Sequence, residues 1–169
     1  FVDDKLKYFA KDVTVVIPTF NSPDMLKQCL DSIKATAPEV KIQIINNGDS
    51  LIPNLAEWNH NPELYEAGQN LGFAGALKIA ETMIATPIVL ILNDDVVARR
   101  AGCLEAMLFE FNCPDVGIVG AKLLYPDGNI QHGGGEVDWN RDDIGYHAYY
   151  GMPDKVEANQ RREVSFVTG

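Results

Sequence analysis

The sequence predicts an α/β domain built on a mainly parallel central sheet flanked by helices, and three observations carry that expectation. Short runs rich in Val, Ile and Leu recur at residues 13–17, 40–45 and 88–92, each of strand length. Between them lie segments whose apolar residues fall at helical spacing, and strand, helix, strand in that order implies parallel pairing through right-handed crossovers. With 169 residues, 46% of them hydrophobic, the chain has the size of one domain and enough apolar matter for a core.

Residues 1–12 form a charged lead-in from which Leu6, Tyr8 and Phe9 can pack on a surface. Val13, Thr14, Val15, Val16 and Ile17 make the first strand, closed by Pro18, and the turn Pro18-Thr19-Phe20-Asn21-Ser22-Pro23 follows. Ser22 or Asp24 can cap a helix to about residue 36, in which Met25, Leu26, Cys29, Leu30 and Ile33 have helical spacing. Ala37-Pro38-Glu39 breaks that helix, and the next strand ends in the turn-rich cluster Asn46-Asn47-Gly48-Asp49-Ser50. A short helix around Leu55 and Trp58 and a short edge strand at 64–67 come next. The small-residue loop Asn70-Leu71-Gly72-Phe73-Ala74-Gly75 leads into a helix to about residue 84, which Thr86-Pro87 stops.

Ile88, Val89, Leu90, Ile91 and Leu92 then read as a strand buried on both faces. Residues 101–111 read as an amphipathic helix with Leu104, Met107, Leu108 and Phe111 on one face, and 116–125 as strand-like. Pro126-Asp127-Gly128-Asn129 is a tight turn into Ile130 and Gln131, and Gly133-Gly134-Gly135 permits unusual backbone angles or close approach of a ligand. Residues 138–160 form a polar excursion whose Trp139, Tyr146, Tyr149 and Tyr150 most simply cover the sheet. Arg161-Arg162 reads as a solvated charge pair before a last strand at 164–167.

The stretch 88–97 organises the rest, because its strand delivers Asn93-Asp94-Asp95 at its carboxyl end, where open α/β sheets bind ligands. Paired carboxylates there suit a hard divalent cation that keeps positions open for phosphate oxygens. They equally suit the cap of a following helix, and the local stretch does not choose. A formal net charge of -10 excludes a protein that grips nucleic acid by neutralising phosphates. Cys29, Cys103 and Cys113 form no CxxC pair and are odd in number, which favours buried free thiols in a reducing, cytoplasmic compartment. No apolar run nears the roughly 20 residues that span a bilayer, so membrane contact would be peripheral, at the inner face.

Pro18-Thr19-Phe20-Asn21, Asn47-Gly48, the loop at 70–75 and Asn93-Asp94-Asp95, in this order, resemble the family 2 glycosyltransferases of the GT-A fold, a Rossmann-like architecture. The likeness covers nearly the whole chain, and Asp127-Gly128-Asn129-Ile130-Gln131-His132-Gly133-Gly134 resembles the rhamnosyltransferase-type branch. It implies transfer of a sugar from a UDP- or dTDP-linked donor to a saccharide or glycolipid hydroxyl, with inversion, assisted by Mn²⁺ or Mg²⁺. Pro18, Thr19, Phe20 and Asn21 would lie against the nucleotide, Asn47 would contact the base, and Asn70, Gly72 and Phe73 would close over the nucleoside. Asn93-Asp94-Asp95 stands in the place of the DxD motif, with Asp95 the main metal ligand and Asp94 a partner near ribose or metal.

Two positions depart from the family pattern: Asn46 and Asn93 stand where Asp is usual. His132, Gly133 and Trp139 could face the acceptor, with a structural role for His132 as an equal reading. The family's carboxylate base lies beyond the strand corresponding to 164–169, and Asp127, Glu136, Asp138, Asp142 and Asp143 do not match its position. The resemblance therefore implies one GT-A domain, the donor-binding part of a longer enzyme, which alone need not be active. The rival is a non-catalytic nucleotide-sugar-binding or interaction domain on the same fold. A sugar-1-phosphate nucleotidyltransferase fits poorly, because Pro18-Thr19-Phe20-Asn21 is not a Gly-rich, basic loop.

Overall fold

The structure, a computed structural model, describes residues 6–52, 54–57, 62–140 and 144–168. It divides into two compact units, Phe1–Asn112 and Cys113–Gly169.

The first unit is the α/β part. Strands β1 (Val13–Thr19), β2 (Lys41–Asn46), β3 (Glu63–Glu66) and β4 (Ile88–Ile91) form one sheet in the order β3-β2-β1-β4, with every pairing parallel. Helices α1 (Pro23–Thr36), α2 (Gly72–Glu81) and α3 (Cys103–Glu110) complete it. Alternation along the strands sorts side chains between two cores. Val13, Val15 and Ile17 of β1 and Ile42 and Ile44 of β2 join Leu26, Leu30 and Ile33 of α1 and Leu104 and Leu108 of α3. On the other face Val16 and Ile45 meet Ala76 and Ala80 of α2. Being central, β1 is buried along its whole length.

The first strand continues through Pro18 to Thr19 rather than stopping at the proline. Val16 O accepts from Leu92 N on the β4 side, while Thr19 O accepts from Asn47 N on the β2 side. Pro18 therefore turns its missing N–H toward β4, past the last pair Val16↔Ile91, and interrupts no ladder bond.

β4 corrects the expectation of a strand buried on both faces. It lies at a sheet edge; Ile88, Leu90 and Leu92 pack on the α1 core, whereas Val89 and Ile91 are 43% and 40% exposed. The small α2 residues cover β1 and β2 and leave these two side chains open on the other face. The expected edge strand at 64–67 is β3, one residue earlier, and the expected short helix is a 3-10 turn, Leu55–Glu57; Trp58 lies outside the described residues.

The second unit holds two antiparallel pairs, β5 (Leu123–Leu124) with β6 (Ile130–His132) and β7 (Gly135–Val137) with β8 (Gly145–His147). The turn at 126–129 forms as expected, with Gly128 at φ 90° and Asp127 accepting from the Asn129 backbone and side-chain amides. Only Leu123 and Leu124 of the expected strand at 116–125 pair, since propensity extends a chain but a ladder needs a partner. The expected strand at 164–167 contributes a single bridge, Phe166 with Gly135. A Cβ on Gly135 would stand 2.3 Å from the Phe166 ring, so the close approach that this glycine permits is filled by the chain's own phenyl group.

Candidate functional site

Parallel strands deliver their carboxyl ends to one edge, and at that edge of the first unit most of the expected donor residues meet. Thr19 ends β1, Asn46 ends β2, Asn47 follows it, and Asn93-Asp94-Asp95 follow β4. The loops are bonded to one another: Asn47 N donates to Thr19 O at 2.9 Å, Asn47 Nδ2 to Gly72 O at 3.4 Å, and Thr19 Oγ1 to Asp94 Oδ2 at 2.5 Å.

The acid pair is not a helix cap. Residues 94–95 form a turn, no helix begins until Cys103, and Gly102 caps it. Asp94 is half-buried and holds the Thr19 hydroxyl, whereas Asp95 is exposed. Beneath them the Cys29 thiol points at the Asn93 carbonyl, 3.8 Å from Sγ. Burial first, then the charges of Asp94 and Asp95, push this thiol up to about 12, so it remains a neutral S–H donor. Two adjacent carboxylates fit a hard cation that takes its remaining ligands from water and phosphate. No group of three or more His, Cys, Asp or Glu able to enclose a metal occurs among the described residues.

Several expected ligand residues have their side chains taken up by the backbone. Asn21, in the left-handed region at φ 54°, accepts from Asp49 N and Ser50 N through Oδ1 and so ties the first loop to the second. Gly48 is required beside it, because a Cβ there would stand 2.2 Å from that oxygen. Asn70 Oδ1 accepts from Gly72 N, and Gly72 has the positive φ of 68° that favours glycine. Phe20 and Phe73 are exposed.

Asn46, one of the two departures from the family pattern, has a structural cause. Its amide donates to Glu66 Oε2 at 2.7 Å and to Ser50 O, and its oxygen accepts from Gly48 N. An Asp there would set a second carboxylate against Glu66. Asn47 differs: it is buried, its amide is used by Gly72, and its Oδ1 has no partner among the described residues. A buried acceptor without a donor is costly and marks a place where a ligand N–H would be welcome. Glu66 and Ser32 were not singled out from the sequence, and Cys29 was singled out only as a buried thiol of the first helix. Ser32 shares the buried face of α1 with Cys29 and Ile33, and that spacing is the only signal for it.

In the second unit His132 is buried, 1% exposed, and its Nδ1 lies 2.9 Å from His147 Nδ1, while its Nε2 has no partner among the described residues. The Phe166 ring lies against both imidazoles. Burial, reinforced by His147, holds the His132 imidazole below its ordinary value of 6.5. A folded state that resists protonation binds fewer protons than the unfolded chain, so its contribution is full above that value and fades as pH falls below it. The melting temperature of the unit is therefore expected to drop between about pH 7.5 and about pH 5.5, and His132→Phe to flatten the slope. An unchanged slope in that variant would contradict the assignment.

Trp139 is 80% exposed and does not cover a sheet, contrary to expectation; it sits on the turn after β7. Arg162 is no solvated charge: Nη2 donates to Gly133 O at 2.8 Å, Nη1 lies 3.5 Å from Glu136, and the guanidinium stands over Tyr149. Asp127 and Asp138 hold turns through Asn129 and Asn140, and Asp142 and Asp143 lie outside the described residues. Cys29 is buried as expected, but Cys103 and Cys113 are exposed: Cys103 opens α3 beside the buried Leu104, and Cys113 lies in a bend beyond the helix.

A parallel sheet with bonded loops and an acid pair at its carboxyl edge is the α/β arrangement of the GT-A glycosyltransferases. The chain belongs to glycosyl transferase family 2, whose model matches residues 14–155. It is 27% identical over 137 residues to the O-antigen biosynthesis protein RfbC of Myxococcus xanthus, covering 72% of this chain and 10% of that protein. It is 28% identical over 131 residues to protein y4gI of Sinorhizobium fredii, covering 72% of this chain and 14% of that one. The chain thus spans about a tenth to a seventh of these curated relatives. Among solved structures, the mannosyltransferase PcManGT of Pyrobaculum calidifontis, in complex with GDP-Man and Mn²⁺, aligns at TM-score 0.55 and 20% identity over 73% of this chain and 38% of that one. No helix among the described residues is long and apolar enough to cross a membrane.

Proposed function

We propose that this chain is a donor-binding glycosyltransferase domain that takes a UDP- or dTDP-linked sugar with a divalent metal, for inverting transfer to a saccharide-like hydroxyl. The observation that carries the reading is the bonded cluster of Thr19, Asn47, Gly72 and Asp94 at the sheet's carboxyl edge, with exposed Asp95 beside it. Asn47 Oδ1, buried and with no donor among the described residues, suits the imide N–H of uracil or thymine. Asp95 would hold the metal, with Asp94 presenting its remaining oxygen to metal or ribose. A bound Mn²⁺ or Mg²⁺ supplies charge neutralisation to the departing diphosphate. An acidic chain, pI about 4.6, has little else to offer there. The likeness to a protein solved with GDP-Man and Mn²⁺, and to a protein named for O-antigen biosynthesis, supports a nucleotide-sugar donor and a saccharide acceptor.

Calorimetry with UDP, dTDP and GDP, each with and without Mn²⁺, tests this. Binding of UDP or dTDP with Mn²⁺ is expected in the range of roughly 1 μM to 1 mM usual for enzyme substrates, and weaker binding without the metal. Silence with all three nucleotides would remove the reading.

A further inference from the structure

We propose that Thr19 is a positioning residue: its hydroxyl fixes the Asp94 carboxylate, and with it the acid turn, rather than contacting the ligand. The inference rests on the donor-site reading above and deepens it. Thr19 is buried at the end of β1, and Oγ1 donates to Asp94 Oδ2 at 2.5 Å across 75 positions of sequence. One Asp94 oxygen is thereby held inward, and a carboxylate so held presents only the other oxygen outward. The flanks of the turn are tied as well. Cys29 Sγ lies 3.8 Å from Asn93 O, and Ala98 N donates to Ser32 Oγ at 3.0 Å. Ser32 Oγ in turn donates to Cys29 O at 2.7 Å, so both flanks are fastened to one stretch of α1.

Thr19 is the fastening that acts on an acid itself. Without its hydroxyl the Asp94 side chain is free to leave its rotamer, and the two carboxylates no longer form a fixed pair. A charged acceptor makes this bond stronger than a neutral one. Preorganisation of this kind is felt as affinity, because an unfixed ligand group must be ordered on binding.

Thr19→Val removes the hydroxyl while keeping shape and β-branching, and Thr19→Ser keeps the hydroxyl. Calorimetry with UDP and Mn²⁺ on the whole chain is expected to show binding weakened by about tenfold or more in Thr19→Val and near wild type in Thr19→Ser. Amide relaxation dispersion of the ligand-free protein should show new exchange over residues 93–96 in Thr19→Val alone. Wild-type affinity and unchanged relaxation in Thr19→Val would overturn the positioning role. If wild type itself ignores UDP with Mn²⁺, the donor-site reading falls, and the relaxation comparison still decides whether Thr19 holds the turn.

Discussion

Asp95→Ala is expected to weaken Mn²⁺-supported UDP binding by about a hundredfold or more while leaving the melting temperature nearly unchanged. Asp95 is exposed, and surface substitutions of this kind usually cost within about 0.5 kcal/mol. In the proposed role Asp95 would hold the cation, and the described residues bring no third acid to it and Asp94, one of whose oxygens already accepts from Thr19. Asp94→Ala provides the contrast. It would leave the buried Thr19 hydroxyl without its acceptor and cost about 1–3 kcal/mol of stability besides affinity. Calorimetry and thermal melts on both variants separate the two roles. Full UDP affinity in Asp95→Ala would sink the metal assignment.

Ile17→Ala is expected to destabilise the first unit by about 2–5 kcal/mol, the usual cost of a large cavity in a packed core. Ile17 is fully buried in the central strand, in one core cluster with Leu26 and Leu30 of α1 and with Ile44, its paired neighbour on β2. It also lies two residues before Thr19, so the loss should be accompanied by weaker nucleotide binding. Val89→Ala on the exposed face of β4 should cost less than about 1 kcal/mol, because that side chain is only half removed from water. Urea titration followed by far-UV circular dichroism measures both. Equal losses would mean that the two faces of the sheet are not packed as described.

The α/β class, the parallel order of strands and the convergence of loops were legible because each depends on local pattern. Apolar runs of strand length, helical spacing at Leu26, Cys29, Leu30 and Ile33, and turn residues after each strand are properties of neighbours in the chain. Asn93-Asp94-Asp95 stood out for the same reason. The burial of β4 was misjudged because a run of five apolar residues looks the same in a central strand and at an edge. Residues 116–125 and 164–167 were misjudged because β-propensity does not say whether a partner strand is present.

By itself, then, the sequence determined the family, the α/β fold and the stretches that carry the candidate site. Only the tertiary structure decided what each polar side chain there is free to do. Asn21 and Asn46 spend their amide groups on partners 28 and 20 positions away, the loop at Asp49 and the end of β3 at Glu66, while Asn47 Oδ1 has no partner among the described residues and Asp95 stays open to solvent. The physical reason is that a hydrogen bond is settled by which groups meet in space, and the partners that matter most here are far apart in the chain. Thr19 and Asp94, 75 positions apart, touch only because β1 and β4 lie side by side with their carboxyl ends together.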